Sequence, residues 1–404
     1  MASLKYWLWL TLLPKLGNRH KLQLLEHFAS PENIYYAAPA ELESVYPQLP
    51  KETAGVLEQK SLEEAEEILA QCREKKIGII TIDDGIYPDR LRNIFDPPIL
   101  LYCRGHLPVL DEEAVIALVG TRRATPYGLD TAERLGFGLA RHGAVVCTGL
   151  ARGIDTAAAL GALRAGGQVV GVLGCGIDRI YPAENQYLYE DVAARGALLS
   201  EYPPGTEPIA KHFPVRNRII SGLSLAAVVV EAPEKSGALI TAATALEQGR
   251  DVFAVPGNAD AVNSQGCLQL LREGAGLAAS SWDILSGYVS LYPGKLKNLS
   301  YEPPKNSGYQ QREEEAQRSR ETTEKTAAET RLPLDLHKNE QGFTDDQIVI
   351  LQTLSQEEAL QADDIIQRTQ IPARRALSAL TMLEIENYVQ QLPGKRFLRL
   401  TAIL

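Results

Sequence analysis

The run Leu225–Val230, LAAVVV, constrains this chain more than any other stretch. Short, rich in Val and bounded by turn residues, it reads as a strand buried on both faces of a parallel sheet. The segment leading to it, FPVRNRIISGLS, is basic and punctuated by glycine, with Arg216 and Arg218 as its cations. Glu231 follows the run, and Ser236 and Gly237 then open an apolar helical pattern. Ligands of open α/β sheets bind beyond the carboxyl ends of the strands, and a helix starting at Ser236 aims free backbone N–H groups at an anion there.

Further strands are expected at Val115–Val119, Ala144–Cys147, Val169–Leu173, Ala197–Ser200 and Val252–Val255, with helical patterns between most of them. Such alternation implies right-handed crossovers and a doubly wound, mostly parallel sheet. Each strand is followed by glycine or a small hydroxyl residue: GTRRATPYG, TGLARGIDTAA, GCGIDRIYP, EYPPGTEPIAKHFPVRNR, EAPEKSGALIT and PGNADAVNSQG. Six such loops on one edge line a groove rich in N–H donors. Arginine is suited to that groove because its planar fork meets phosphate oxygens in pairs.

The absences narrow the ligand. There is no GxxxxGK[ST], so Lys235–Ser236–Gly237 is not a Walker loop, and VGTRRATPYG is not GxGxxG. The six histidines form no HxH or HExxH pair, so neither a metal nor a serine–histidine triad is expected, and no cofactor is called for. Asp155 is expected to cap a helix and Glu231 to anchor a loop rather than act as catalytic carboxylates. Net charge is −10, so any nucleic-acid surface has to be local; Arg122, Arg123, Lys211, Arg216 and Arg218 are concentrated in two short motifs. Five scattered cysteines without a CxxC pair fit a reduced, cytoplasmic protein. The apolar start, Tyr6 to Leu13, is too short for a membrane span and reads as a helix.

Around this sheet the chain divides into residues 1–75, helical; 76–290, the sheet domain; 291–342, a polar linker expected to be disordered; and 343–404. IGIITI and PILLYC, before the first strand, read as two more strands extending the sheet. In the first region LPKLG, followed by a helix, resembles the hairpin of helix-hairpin-helix modules. Its counterpart YPQLP at Tyr46–Pro50 lacks the matching glycine, so a packing domain is the expected reading and DNA contact the alternative. In the last region, helices at Asp345–Leu354 and Ala362–Arg368, a third begun by Pro372, and a hairpin of YVQQ and RFLRL joined by LPGK give a winged-helix pattern. Six basic and six acidic residues over 347–404 leave DNA and protein contact both open there.

With these motifs in place, the sequence resembles the DprA/Smf family of bacterial DNA-processing proteins. YPDRL, DPPILLYCRG, VGTR, TGLARGID, GCGIDRIYP, SEYPPG, FPVRNRIISGLS, VVVEA, SGALITA and VPG occur in order between Tyr87 and Leu277. The resemblance implies an extended Rossmann-like domain, an N-terminal helical domain of the SAM or helix-hairpin-helix kind and a C-terminal winged helix. It also implies a homodimer that binds single-stranded DNA and loads RecA onto it during natural transformation, in exchange with single-strand binding protein. The positions carried over for DNA contact are Gly120, Thr121, Arg122, Lys211, Phe213, Arg216, Arg218, Ser236 and Gly237. Arg122 and Arg218 are expected to pair phosphates and Phe213 to offer a stacking face. Two departures are Ala159, where the family more often has His, and Cys267, where Asn is more usual.

Two rival readings stand beside this one. A phosphoribohydrolase-like enzyme would need PGGxGTxxE, whereas Thr241 is followed by an acid only at Glu247. A winged-helix regulator would place DNA binding in residues 343–404.

Overall fold

A computed structural model of the chain describes residues 4–45, 55–300, 336, 339, 342–356, 358–386, 388–392 and 396–402. It divides into two compact units, residues 1–309 and 310–404.

The first unit is built on a nine-stranded sheet of order β1-β2-β6-β5-β4-β3-β7-β8-β9. The strands are β1 Gly78–Thr81, β2 Leu100–Gly105, β3 Val115–Val119, β4 Val145–Thr148, β5 Val169–Leu173, β6 Ala197–Ser200, β7 Ala226–Val229, β8 Asp251–Ala254 and β9 Gly276–Leu277. All neighbours from β6 to β9 pair in parallel. β1 and β2 join antiparallel at the β6 edge, so IGIITI and PILLYC do extend the sheet. Ala226–Val230 of the apolar run are fully buried and Leu225 partly so, and its ends, Leu225 and Val230, continue the ladder by donating to the carbonyls of Val115 and Val119. β9 was not expected: two residues carry too little pattern to read.

Chain order places β4, β5 and β6 on one side of β3, and β7 and β8 on the other. The helix after β3, Pro126–Arg141, packs with Ile154–Arg164 and Ser281–Leu285, whereas the helix after β7, Gly237–Glu247, packs with His212–Leu223. The loops leaving β3 and β7 therefore diverge into different helix groups, and the crevice between them is the switch point at which doubly wound sheets hold ligands. Pro126–Arg141 and Ile154–Arg164 meet backbone to backbone: a Cβ at Gly136 would strike the Ala158 carbonyl, and one at Gly161 the Glu133 carbonyl. Glycine at these contacts lets the two helices sit close beneath the loops.

The N-terminal helices share the sheet's hydrophobic core, which runs from Trp7 to Leu296. Leu4–Leu12 buries Tyr6, Trp7, Leu8, Trp9 and Leu10 and packs on Glu63–Glu74. Tyr46–Pro50 lies outside the described residues, as does most of the expected linker. Residues 291–300 are described, with Leu296 buried and Lys297 donating its N–H to the His142 carbonyl at 3.0 Å. Among the described residues, no helix is long and apolar enough to cross a membrane.

Among the described residues of the N-terminal helices, Lys21 is the one buried lysine, with its ammonium donating to the Thr11 carbonyl at 2.9 Å. Burial pulls its pKa down to about 8, against the attraction of Glu201 and Asp96. Between that value and about 10.5 the unfolded chain binds more protons than the folded one, so this group makes stability rise with pH across the window. Lys21→Met is expected to remove that rise, about 3 kcal/mol in full. Urea denaturation at pH 7.5 to 10.5 reads it; parallel pH dependences of the two proteins would contradict it.

The second unit has helices Asp345–Thr353, Ala362–Thr369 and Ala373–Ile385 and a small antiparallel sheet, order β10-β12-β11, of β10 Leu360–Gln361, β11 Val389–Leu392 and β12 Arg396–Arg399. This is the expected winged helix with one extra short strand, closed over Ile350, Leu351, Ile365, Leu380, Leu383 and Phe397. Thr344 and Gln347 form a capping box at its first helix, and the third helix begins one residue after Pro372.

Candidate nucleic-acid interface

The loop after β3 is fixed from beneath by β7. Gly120 has no room for a side chain, since a Cβ would strike Ile154 and the Glu231 carbonyl. The Thr121 N–H donates to that same carbonyl at 2.7 Å. The buried Glu231 carboxylate accepts from the Thr125 N–H at 2.8 Å and the Thr125 hydroxyl at 2.6 Å, and Thr125 Oγ1 in turn caps the next helix by accepting from the Gly128 N–H. Glu231 is thus the loop anchor anticipated for it. The consequence is that Arg122 and Arg123 are held at the crevice while remaining exposed.

Across the crevice, Ser236 caps Gly237–Glu247 by accepting from the Ala238 N–H at 3.3 Å. The first-turn amides of this helix face the crevice with the positive end of the helix dipole. Lys235, exposed, sits beside them.

Arg216 departs from expectation. The segment FPVRNRIISGL is a helix, His212–Leu223, and Arg216 is only 4% exposed. Its Nη1 donates to the carbonyls of Gly149, at 2.9 Å, and Val172. The buried Asp155 lies in its field and accepts from the Gly149 and Ala151 N–H groups at 3.1 and 3.4 Å. Burial raises the Asp155 pKa and lowers that of Arg216, each opposed by the charge of the other. Arg216 is therefore a pillar under the loops of β4 and β5 rather than a cation on an open wall. Asp155 likewise ties down the loop before its helix, whose cap residue is Gly153, and is not itself a cap.

Arg218 is a second correction. Two residues along a helix is a rotation of about 200°, so it points away from Arg216. Its guanidinium grips Glu201 at 2.7 and 2.9 Å and Asp96 at 3.0 Å, while Asn18 from the N-terminal helices donates to the same Glu201 at 2.8 Å. Those carboxylates take its charge, so it locks the N-terminal region to the sheet and does not present a phosphate fork.

Phe213 is half-buried, with the Arg122 guanidinium 4.9 Å and that of Arg216 5.9 Å from its ring centroid, and Tyr181 tilted against it at 5.4 Å. The preceding His212 stacks on Tyr202 at 4.0 Å, and burial lowers its pKa.

These parts surround a cavity of about 670 Å³. Of the residues anticipated from sequence, Gly120, Thr121, Arg122, Phe213, Arg216, Ser236 and Gly237 line it; Lys211, exposed at the head of its helix, and Arg218 do not. Asp155, Tyr181 and Lys235 line it as well and were not anticipated for this role. Tyr181 was visible in GCGIDRIYP, but nothing in the motif marks that Tyr as facing Phe213. Among the described residues, no group of three or more His, Cys, Asp or Glu is placed to hold a metal.

A family profile described as DNA recombination-mediator protein A matches residues 78–288, and one described as DprA winged helix domain matches residues 324–395. Protein Smf of Synechocystis sp. is 34% identical over 399 residues, 98% of each chain. DNA processing protein DprA of Bacillus subtilis is 42% identical over 244 residues, 60% of this chain and 77% of that one. The X-ray structure of DNA processing protein A from Streptococcus pneumoniae superposes with a TM-score of 0.61 at 34% identity, over 70% of this chain and 97% of that one.

Proposed function

From the premise that the chain belongs to the DprA/Smf family of DNA-processing proteins, we propose that the crevice between β3 and β7 binds single-stranded DNA. The observation that carries this reading is the convergence of the exposed Arg122, the half-buried Phe213 ring beneath it and the capped helix start at Ser236–Gly237 on one cavity. A guanidinium and a helix N-terminus suit a phosphate, and an aromatic face suits an unpaired base. Gly120, Thr121 and Arg216 keep that geometry, and Lys211 extends the positive rim. Duplex bases are already stacked on one another and cannot use Phe213, which favours single strands.

In this reading the protein is a binder without turnover. It works in the cytoplasm as a homodimer, protects DNA entering the cell and loads RecA onto it in place of single-strand binding protein. The test has two arms. In competition binding, an unlabelled single strand is expected to displace a labelled one at least tenfold better than the blunt duplex of the same sequence. In a strand-loading assay, RecA filaments are expected to form faster on DNA covered by single-strand binding protein when this protein is added. Equal competition by duplex would overturn the strand preference, and no acceleration would remove the loading role.

A further inference from the structure

The carboxyl edge of the sheet is electrostatically lopsided. On the side of β4, β5 and β6 most of the cations are already taken: Arg152 pairs with Glu184, Arg179 with Glu207 at 3.1 Å, and Lys75, at the end of helix Glu63–Glu74, with Asp178, whereas Lys211, in the loop after β6, is exposed but does not line the cavity. On the side of β3, β7 and β8 they are not. Arg123 and Lys235 are exposed, both line the cavity, and no described carboxylate lies within ion-pair reach of either. Glu234 and Asp260 are exposed on that side too and pair with neither.

Arg123 is also held in place. Its N–H donates to Thr121 Oγ1 at 3.2 Å, and its carbonyl accepts from the Asn263 side chain, reaching over from the loop after β8, at 3.0 Å. Four residues on, the Tyr127 hydroxyl donates to the Pro256 carbonyl at 2.8 Å while the residue stays 50% exposed. An aromatic ring fixed at its tip and open on its face is a base platform that loses little entropy on use.

Resting on the single-strand reading above, we infer that the strand leaves the Arg122–Phe213 cavity over β7 and β8, with Arg123 and Lys235 taking phosphates and Tyr127 stacking a base of a second nucleotide subsite. The ion pairs of Arg152 and Arg179 disfavour the path over β4 and β5, because a phosphate there would have to displace a carboxylate already in place.

The experiment is fluorescence anisotropy with a labelled oligothymidylate across a salt series, using the full chain and variants whose thermal melts match it. Arg123→Ala and Lys235→Ala are each expected to weaken binding and to make the slope of log K against log salt shallower by about 0.7. Tyr127→Ala is expected to weaken binding roughly 5- to 100-fold with the slope unchanged. Arg152→Ala, Arg179→Ala and Tyr187→Ala, the last an 82% exposed aromatic on the opposite side, are expected to bind as the parent does. Losses confined to this second set would overturn the assigned direction. Loss with Arg122→Ala but none with Arg123→Ala, Lys235→Ala or Tyr127→Ala would overturn the second subsite and leave the cavity reading intact; no loss with any variant would overturn both.

Discussion

Arg216→Met is expected to cost about 3–5 kcal/mol of stability, the range for removing one partner from a buried charged pair. The methionine can fill much of the volume, but the Gly149 and Val172 carbonyls lose their donor, and Asp155 is left buried without its compensating cation. The pH dependence identifies the cause. Burial already raises the Asp155 pKa in the folded protein, and losing Arg216 raises it further. A group bound to its proton more tightly when folded makes stability fall as pH rises from the unfolded carboxyl value to the folded one. The deficit of the variant is therefore expected to shrink as pH is lowered from 8 toward 5. Urea denaturation followed by far-UV circular dichroism measures it, and a pH-independent deficit would point to lost packing alone. Single-strand binding is expected to fall with stability, because Phe213 stands on the same helix as Arg216.

Arg122→Ala is expected to do the opposite: a loss of single-strand affinity of about 10- to 100-fold, from one charge-assisted phosphate contact, with stability changed by less than about 0.5 kcal/mol, as for an ordinary surface substitution. Arg122 is exposed, and Glu231 fixes its loop through Thr121 and Thr125, not through the guanidinium. Equilibrium titration together with a thermal melt separates the two quantities. A variant that melts early would mean that Arg122 holds the loop rather than the strand.

The contrast between these arginines shows how far the sequence could be read. LAAVVV announced its strand because both faces of a parallel sheet want apolar residues. The helix start at Ser236 was legible because it depends on local spacing, and Glu231 was legible as a loop anchor from its place at the end of the strand, although its partner Thr125 lies 106 residues earlier in the chain. Arg216 and Arg218 were not separable, because FPVRNRIISGL read as a basic approach to the strand, and only as a helix does the two-residue offset send one guanidinium into the sheet and the other to Glu201. Charge alone does not say whether a cation will meet a carbonyl, a carboxylate or a ligand. The same limit hid Asp155, whose amide partners lie in the loop that precedes its helix and read equally well as a capping pattern. Nor could the position of the crevice be obtained strand by strand. It follows from β7 lying beside β3 rather than beside β6, which is a property of the crossovers.

The central claim, that the crevice between β3 and β7 neutralises the phosphates of a single strand, is tested most directly by the salt dependence of oligonucleotide binding in the parent and in Arg122→Ala. A negative slope of log K against log salt is predicted, shallower by about 0.7 in the variant because one phosphate contact is gone. Identical affinity and identical slope in the two proteins would contradict the account.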